Sequence, residues 1–232
     1  SYIGASPALM GTCADRNIAM TFMTKNGRYL ARVVGESRGN VVLRKEQYRI
    51  SDNEYRSTLV ARNFIVGKVF NQKWILERAT RDHPLRLTVT KIKEVNESLT
   101  ELLYAIRHVE DLETLRGLEG NAALQYYSVF NELILQQQEH FRFQGRNRRP
   151  PLDNINALLS FTYTLLMHDV QAALEGVGLD AYVGFLHRDR PGRSSLALDM
   201  IEELRGVYAD RFVLSLINKK IIDHRGFHRK ET

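Results

Sequence analysis

Residues 182–203 read YVGFLHRDRPGRSSLALDMIEE and combine a histidine, a basic loop and a segment rich in acids. His187 ends a short apolar run, and a helix that follows the loop has Asp199 and Glu202 on one face, because residues three apart are neighbours on a helix. Upstream, Glu119 lies near the start of another predicted helix, in LEGNAALQYYSVF. One imidazole and two or three carboxylates suit a divalent cation that acts on phosphate.

Each part of this group also has a simpler interpretation. Asp199 and Glu202 lie beside an apolar stripe, where an unpaired buried carboxylate is expensive. Their partner is therefore either a metal ion or an arginine such as Arg193 or Arg205. His187 alone is equally consistent with a hydrogen-bonded core residue, and the upstream glutamate with a carboxylate favoured by the positive end of a helix. The spacing alone leaves both interpretations open.

The composition favours a polyanionic partner. Thirty-three Lys and Arg residues against twenty-seven Asp and Glu residues give a net charge of +6. Residues 141–149, FRFQGRNRR, carry four arginines in nine positions. The single cysteine, Cys13, excludes an intramolecular disulfide and a cysteine-built zinc site, and it fits a reducing cytoplasm.

The longest apolar stretch is too short to span a membrane. Residues 155–167 are broken by polar side chains and are typical of a buried helix. We find no signal-peptide pattern and expect a soluble, cytoplasmic protein. The chain begins without an initiator Met and stops without a closing element, so we expect it to be part of a longer protein.

The sequence predicts a mainly α fold. Ser6 and Pro7 open a short predicted helix, and strands at 17–23 and 29–34 flank a Lys25-Asn26-Gly27 hairpin turn. The turn-rich joint at residues 35–39 predicts a domain boundary, and from residue 39 onward the pattern is all-helical. Predicted helices cover residues 51–82, 85–108, 111–116, 118–130, 131–139, 153–174 and 194–209.

Basic and aromatic side chains in these helices have two interpretations each. The bases of residues 51–82 are predicted to lie on a solvated face, with a helix lying along a phosphate backbone as the alternative. These bases are Arg56, Arg62, Lys68, Lys73 and Arg78. The tyrosines of the central helices either pack in the core, which their apolar neighbours favour, or stack on DNA. They are Tyr126, Tyr127 and Tyr163.

Three long motifs closely resemble the CRISPR adaptation integrase family, the "Cas-one" endonuclease and integrase of spacer acquisition. They are LRGLEGNAALQYYSVFNELI, FQGRNRRPPLDNINALLSFTYTLL and GLDAYVGFLHRDRPGRSSLALDMIEELR. The resemblance covers nearly the whole chain, including the hairpin segment, and is greatest to members from type I-C systems. It implies that residues 1–38 are the last helix and β-hairpin of a small β-rich N-terminal domain with a linker. It also implies that residues 39–232 are an all-helical catalytic domain that is incomplete at its C-terminus.

The resemblance implies a metal-dependent reaction on DNA. Glu119, His187 and Glu202 match the family's ligands for Mg²⁺ or Mn²⁺, and Asp199 matches a second acid that either ligates the metal or orients water. The expected reaction inserts short foreign DNA fragments (spacers) into a CRISPR array, for antiviral adaptive immunity. In it a 3′-hydroxyl attacks a phosphodiester, and water in its place gives nuclease activity.

The resemblance also implies DNA contacts and protein partners. Basic side chains around the site are expected to neutralise phosphates of double-stranded DNA, namely the incoming prespacer and the CRISPR leader-repeat. The expected assembly is a homodimer that joins the small second adaptation protein ("Cas-two") and, in type I-C systems, often a "Cas-four" nuclease. The expected DNA-contacting residues are Arg146, Arg148, Arg149, Arg188, Arg190 and Arg193.

Two other functions remain possible at this point. His168-Asp169 matches the adjacent pair of HD-type helical metal phosphohydrolases, and His140 and Asp199 would have to complete that metal site. Alternatively, the protein is a basic helical module that binds and shapes DNA without chemistry.

Overall fold

The computed structural model describes residues 3–16, 18–24, 29–35, 40–147 and 150–228. Within them the fold is mainly helical, with one two-stranded sheet, as the sequence predicted. The elements are α1 (Pro7–Asp15), β1 (Met20–Met23), β2 (Tyr29–Val33), α2 (Val41–Ser51), α3 (Glu54–Asp82), α4 (Val89–Ile106), α5 (Leu112–Ser128), α6 (Asn154–Gly176), α7 (Ser195–Leu204) and α8 (Arg211–Asn218). A π-helical segment, Arg205–Asp210, joins α7 to α8, and short 3₁₀ helices lie at Phe130–Leu133 and His224–Gly226.

Helix α3 is the centre of the fold. Its 29 residues extend for about 43 Å, and α4, α5 and α7 all pack against it. Ala61, Ile65, Val69 and Leu76 are fully buried and recur at spacings of four and seven, which places them on one side of the helix. Three separate segments of the chain therefore meet on one long helix.

Side-chain caps begin several helices where the sequence indicated them. Asp153 accepts a hydrogen bond from the backbone N–H of Asn156 at the start of α6, and Ser6 accepts one from Leu9 at the start of α1. The antiparallel hairpin β1–β2 is also present. Its predicted turn at 25–27 and the predicted domain boundary at 38–39 lie outside the described residues.

The predicted break at Gly117 is wrong. Residues 112–128 form one continuous helix, α5, capped by Asp111, whose side chain accepts the backbone N–H of Thr114. A glycine in a helix interior costs only about 1 kcal/mol, and α5 regains more than that by burying Leu115 and Ala122. Glu119 consequently lies in the middle of a helix.

The predicted helix at 131–139 is also wrong. Only the 3₁₀ turn Phe130–Leu133 forms there, and Gln137 has φ 56°, in the left-handed region that a right-handed helix does not contain. The side chain of Gln137 instead donates hydrogen bonds to the carbonyl oxygens of Ile217 and Ile222. This contact with the end of α8 replaces the local helix.

The predicted helix at 194–209 divides into α7 and the π-helical segment. Gly206 lies against α3 there, and a Cβ on it would be 2.9 Å from Cδ1 of Ile75. The π-helical segment therefore runs unusually close to α3. It lies directly after Glu202, and π-helical turns are often found at functional sites.

The apolar run at 155–167 belongs to α6 and faces the core. Ile155 and Leu159 are fully buried, and Tyr163 is 7% exposed. In the part of the chain that the structure describes, none of the helices combines the length and apolarity needed to cross a bilayer.

Truncating a core leucine should destabilise the fold strongly. Leu99 in α4 is fully buried, so Leu99→Ala should lower the free energy of unfolding by about 2–5 kcal/mol. Leu85 is 99% exposed, and Leu85→Ala should change it by less than about 0.5 kcal/mol. Urea unfolding followed by circular dichroism measures both. Equal effects would contradict the assignment of α4 to the core.

Candidate active site

A buried lysine lies between two of the predicted metal ligands. The Nζ of Lys68, on α3, donates hydrogen bonds to Oε1 of Glu119 on α5 and, at 2.7 Å, to Oε2 of Glu202 on α7. Lys68 is 5% exposed and Glu202 is 4% exposed. The structure thus brings two of the three predicted ligands to one ammonium group.

The predicted solvated position of Lys68 is wrong. It continues the buried side of α3 formed by Ile65, Val69 and Gln72. That spacing is visible in the sequence, and a lysine in such a stripe needs a buried partner because an unpaired charge is costly there. Helical periodicity could therefore have identified it, although it does not reveal which acids pair with it.

Glu202 has a second cation, Arg205. Its Nη1 lies 2.7 Å from Oε1 of Glu202, so each carboxylate oxygen has its own positive partner. Burial alone would raise the pKa of Glu202, but the charges of Arg205 and Lys68 outweigh burial and lower it to about 2. The arginine partner that the sequence left open is therefore present, together with a lysine.

Aromatic and acidic side chains surround the guanidinium of Arg205. Its guanidinium lies 5.1 Å from the ring centroid of Tyr163, whose hydroxyl donates a 2.5 Å hydrogen bond to Asp210 and lies 2.9 Å from the hydroxyl of Tyr127. Burial raises the pKa of Asp210 to about 6. Tyr126 is fully buried beside them, so the core interpretation of the three tyrosines is confirmed.

Asp199 holds the loop that carries His187. Its carboxylate accepts the backbone N–H groups of Phe185 (2.6 Å), Leu186 (2.9 Å) and His187 (3.0 Å). It also accepts Nδ1–H of the His187 ring at 2.6 Å, which leaves Nε2 as the ring's free lone pair. Asp199 has no exposed surface. The resemblance implied that Asp199 either ligates the metal or orients water. This geometry instead favours a role in positioning the His187 ring, since carboxylates commonly orient ligand histidines in this way.

Further contacts fix the same loop. Gly184 passes so close to α7 that a Cβ on it would lie 2.8 Å from Cβ of Ser195 and 2.9 Å from Oδ2 of Asp199. Gln47, on α2, donates to the carbonyl oxygens of Asp180 (2.7 Å) and Val183 (2.9 Å). From α5, Nε of Arg116 donates a hydrogen bond to the backbone carbonyl oxygen of Leu186 at 3.1 Å. Neither Gln47 nor Arg116 was identified from the sequence, because each contact joins distant parts of the chain.

His187 opens onto a cleft of about 320 Å³. Its lining includes the basic residues Arg116 and Arg188 and the acids Asp52 and Glu54. Glu119 and Glu202 are not among its lining residues. The His187 side chain is therefore accessible from solvent through this cleft, while Glu119 and Glu202 pair with Lys68.

The predicted metal set has suitable chemistry but does not converge fully. Among the residues that the structure describes, no three His, Cys, Asp or Glu side chains are close enough to hold a metal ion. Glu119 and Glu202 share the Nζ of Lys68 as their ion-pair partner. Two carboxylates already grouped around a cation, near an imidazole with a free Nε2, remain donors of the kind that Mg²⁺ and Mn²⁺ accept. The ligand assignment stays a prediction.

The predicted DNA-contacting arginines differ in availability. Arg188 is exposed and pairs with Glu113 at 2.9 Å. Arg190 is exposed and Arg193 is half-buried, and neither guanidinium has an ion-pair partner in the described ranges. The predicted residues Arg148 and Arg149 lie outside the described residues.

Arg146 is already used inside the chain. It donates to Asn156 at 2.7 Å and to Ser160 at 3.2 Å, and its guanidinium lies 5.3 Å from the Tyr163 ring centroid. A contact with DNA would require some of these bonds to break.

The residues of the alternative HD-type site have other neighbours. The ring of His168 stacks on Tyr29 at 5.0 Å, and that of His140 stacks on His224 at 3.8 Å. Asp199 is engaged by the His187 loop. The structure therefore offers no support for an HD-type centre in the described part of the chain.

Replacing Asp199 should release the His187 loop. Asp199→Asn puts an N–H₂ group among four donors, so the free energy of unfolding should fall by about 2–4 kcal/mol. Nitrogen-15 NMR should find Nδ1 of His187 protonated at pH 8 in the unaltered protein and a mixture of tautomers in the variant. Asp169→Asn, at an exposed position of α6, is the control. An unchanged His187 tautomer would contradict the positioning role.

The whole chain, residues 1–232, matches the family model described as CRISPR associated protein Cas1. The CRISPR-associated endonuclease Cas1 1 of Chlorobaculum tepidum is 48% identical over 230 residues, covering 99% of this chain and 67% of that protein. The CRISPR-associated endonuclease Cas1 2 of Rhodospirillum rubrum is 48% identical over 228 residues, covering 97% of this chain and 65% of that protein. The chain thus spans about two thirds of the length of these curated relatives.

One more distant relative is a fusion. The Cas4 exonuclease/Cas1 endonuclease fusion of Geobacter sulfurreducens is 36% identical over 217 residues, covering 91% of this chain and 38% of the fusion.

Solved structures with the same fold include a CAS1 protein from Thermotoga maritima, at a TM-score of 0.78 and 26% identity, over 97% of this chain and 69% of that one. A casposase bound to integration product has a TM-score of 0.79 at 24% identity, over 97% and 61% of the two chains. A partial Cas6-RT-Cas1–Cas2 complex gives 0.76 at 24% identity, over 98% and 66%. The family match and the curated relatives lead to one conclusion: the chain belongs to the Cas1 family of CRISPR-associated proteins.

Proposed function

We propose that this protein is a divalent-metal-dependent DNA endonuclease and integrase that inserts short foreign DNA into a CRISPR array. The observation that carries the proposal is the grouping of Glu119 and Glu202 around one cation. The His187 ring, which Asp199 orients, is close enough to interact electrostatically with Glu202. Support also comes from the curated relatives, whose names describe CRISPR-associated endonucleases, and from the shared fold of a casposase bound to integration product.

The side chains would divide the work as follows. Glu119, Glu202 and Nε2 of His187 would hold Mg²⁺ or Mn²⁺. When bound, such an ion polarises the phosphoryl oxygen and stabilises negative charge on the attacking and leaving oxygens. Asp199 keeps the imidazole in one tautomer and one orientation, and Arg205 retains Oε1 of Glu202.

DNA would approach along the exposed basic loop. Arg188, Arg190 and Arg193 lie on the segment that follows His187, and positive side chains there would neutralise backbone phosphates. Phosphate contacts carry little sequence information, which suits the capture of arbitrary fragments. A 3′-hydroxyl would then attack a phosphodiester at the edge of a repeat. One phosphodiester bond replaces another, so no nucleotide cofactor is required.

The proposed assembly is a homodimer joined to the second adaptation protein, Cas2, with a Cas4 nuclease as a further partner. Support comes from the Cas1–Cas2 complex among the structures with this fold and from the Cas4/Cas1 fusion among the relatives. We further propose that the protein works in the cytoplasm.

Substitution of the proposed ligands should abolish strand transfer without abolishing DNA binding. Glu119→Gln, His187→Ala and Glu202→Gln should each lower the rate of joining a short DNA with a free 3′-hydroxyl to a leader-repeat duplex. The loss should be about 100-fold or more, because a ligand of the reacting centre is removed. The assay uses the full-length protein with Mn²⁺, and a gel-shift experiment measures DNA binding.

The matched control is Glu97→Gln, at an exposed position of α4, which should transfer strands normally. If the unaltered protein binds DNA but neither nicks nor joins it, the protein is a DNA-binding module and the proposed function is wrong.

A further inference from the structure

We propose that Lys68 is an internal counter-cation, which takes the place of the metal between Glu119 and Glu202 in the metal-free protein and must release both carboxylates when the metal binds. The inference rests on the proposed metal dependence. It makes Lys68 a positioning residue.

The contacts of Lys68 match those of a bound cation. Its Nζ lies within hydrogen-bonding distance of Glu119 Oε1 and of Glu202 Oε2 at once. Its side chain is 6% exposed, against 26% for Glu119 and 4% for Glu202. The ammonium is therefore enclosed, whereas Glu119 retains a route to solvent.

Distances rule out joint occupancy of the same place. The ammonium lies 2.7 Å from Glu202 Oε2, and a divalent ion needs its oxygen ligands at about 2.1 Å. An ion and Nζ cannot both lie between the same two oxygens. Lys68 has a flexible four-carbon side chain with a compact charge, so the ammonium can withdraw by rotamer changes while α3 stays in place.

The charge balance points the same way. Lys68 and Arg205 supply two positive charges, which Glu119 and Glu202 already balance without a metal. The acid Asp210 also interacts with both cations. Adding a divalent ion beside an unmoved Lys68 would place a large excess of positive charge in a region of low dielectric constant.

The two cations on Glu202 are not equivalent. Arg205 bonds Oε1, and Lys68 bonds Oε2. When Lys68 leaves, Arg205 still fixes the carboxylate, and Oε2 becomes free to bind the ion. The arrangement keeps the acids in position before the metal arrives and defines which oxygens are released.

The test compares Lys68→Met with Lys73→Met, which removes an equivalent charge from the same helix, where Lys73 pairs with Glu77 at 2.7 Å. Mn²⁺ binding to the full-length protein is measured by calorimetry, and thermal unfolding is measured without metal. Lys68→Met should bind Mn²⁺ at least tenfold more tightly and should unfold at a lower temperature without metal. Lys73→Met should bind Mn²⁺ as the unaltered protein does. Unchanged or weaker Mn²⁺ binding by Lys68→Met would overturn the inference.

A second measurement uses the unaltered protein, so it does not depend on the variant folding. Acetylation of lysine amines is quantified by mass spectrometry with and without Mn²⁺. Modification of Lys68 should increase at least threefold with Mn²⁺, while that of Lys73 stays constant. Equal modification of Lys68 in both conditions would exclude its release.

Glu119→Gln separates this inference from the proposed function. If Mn²⁺ binding is insensitive to Glu119→Gln, the metal assignment and the role of Lys68 both fail. If binding depends on Glu119 and Lys68→Met leaves it unchanged, only the role of Lys68 fails.

Discussion

The ammonium of Lys68 determines how the centre of this protein is built. The carboxylates of buried Glu202 and half-buried Glu119 could not lie close together without a cation, since their charges would be uncompensated in a region of low dielectric constant. Lys68 lies on α3, the helix against which α5 and α7 both pack, so its ion pairs with Glu119 and Glu202 join the three helices at one point. The candidate site and the core are therefore built on the same three helices.

The histidine of the site is held by a separate set of contacts. Asp199 accepts three backbone N–H groups and the His187 ring, while Gln47 from α2 and Arg116 from α5 hold the same loop from outside. Gly184 allows the close approach to α7 that these bonds need. One buried acid thus orients a ring nitrogen toward the cleft before any ligand arrives. Positioning of this kind is what a metal-dependent reaction requires of its supporting residues.

Local patterns in the sequence predicted much of the fold, because caps and periodicity act over a few residues. Asp153 at the start of α6, the hairpin strands and the helical character of the remainder are examples. Predictions were wrong where distant contacts decided the outcome. Gly117 lies inside a continuous helix because burial of neighbouring residues stabilises that helix. Residues 131–139 do not form the predicted helix, and the side chain of Gln137 instead bonds to the carbonyl oxygens of Ile217 and Ile222. Lys68 pairs with Glu119, which is 51 positions away along the chain, and with Glu202, which is 134 positions away. No local sequence pattern reveals which acids these partners are.

We propose that the place between Glu119 and Glu202 belongs to a divalent ion in the active protein and to Lys68 in its absence. Anomalous diffraction from crystals of the full-length protein grown with Mn²⁺ would locate the ion. We expect a manganese peak within ligand distance of Glu119, Glu202 and Nε2 of His187, with Nζ of Lys68 beyond hydrogen-bonding distance of both carboxylates. A peak elsewhere, or a Lys68 still bonded to both acids in the presence of a bound ion, would contradict it.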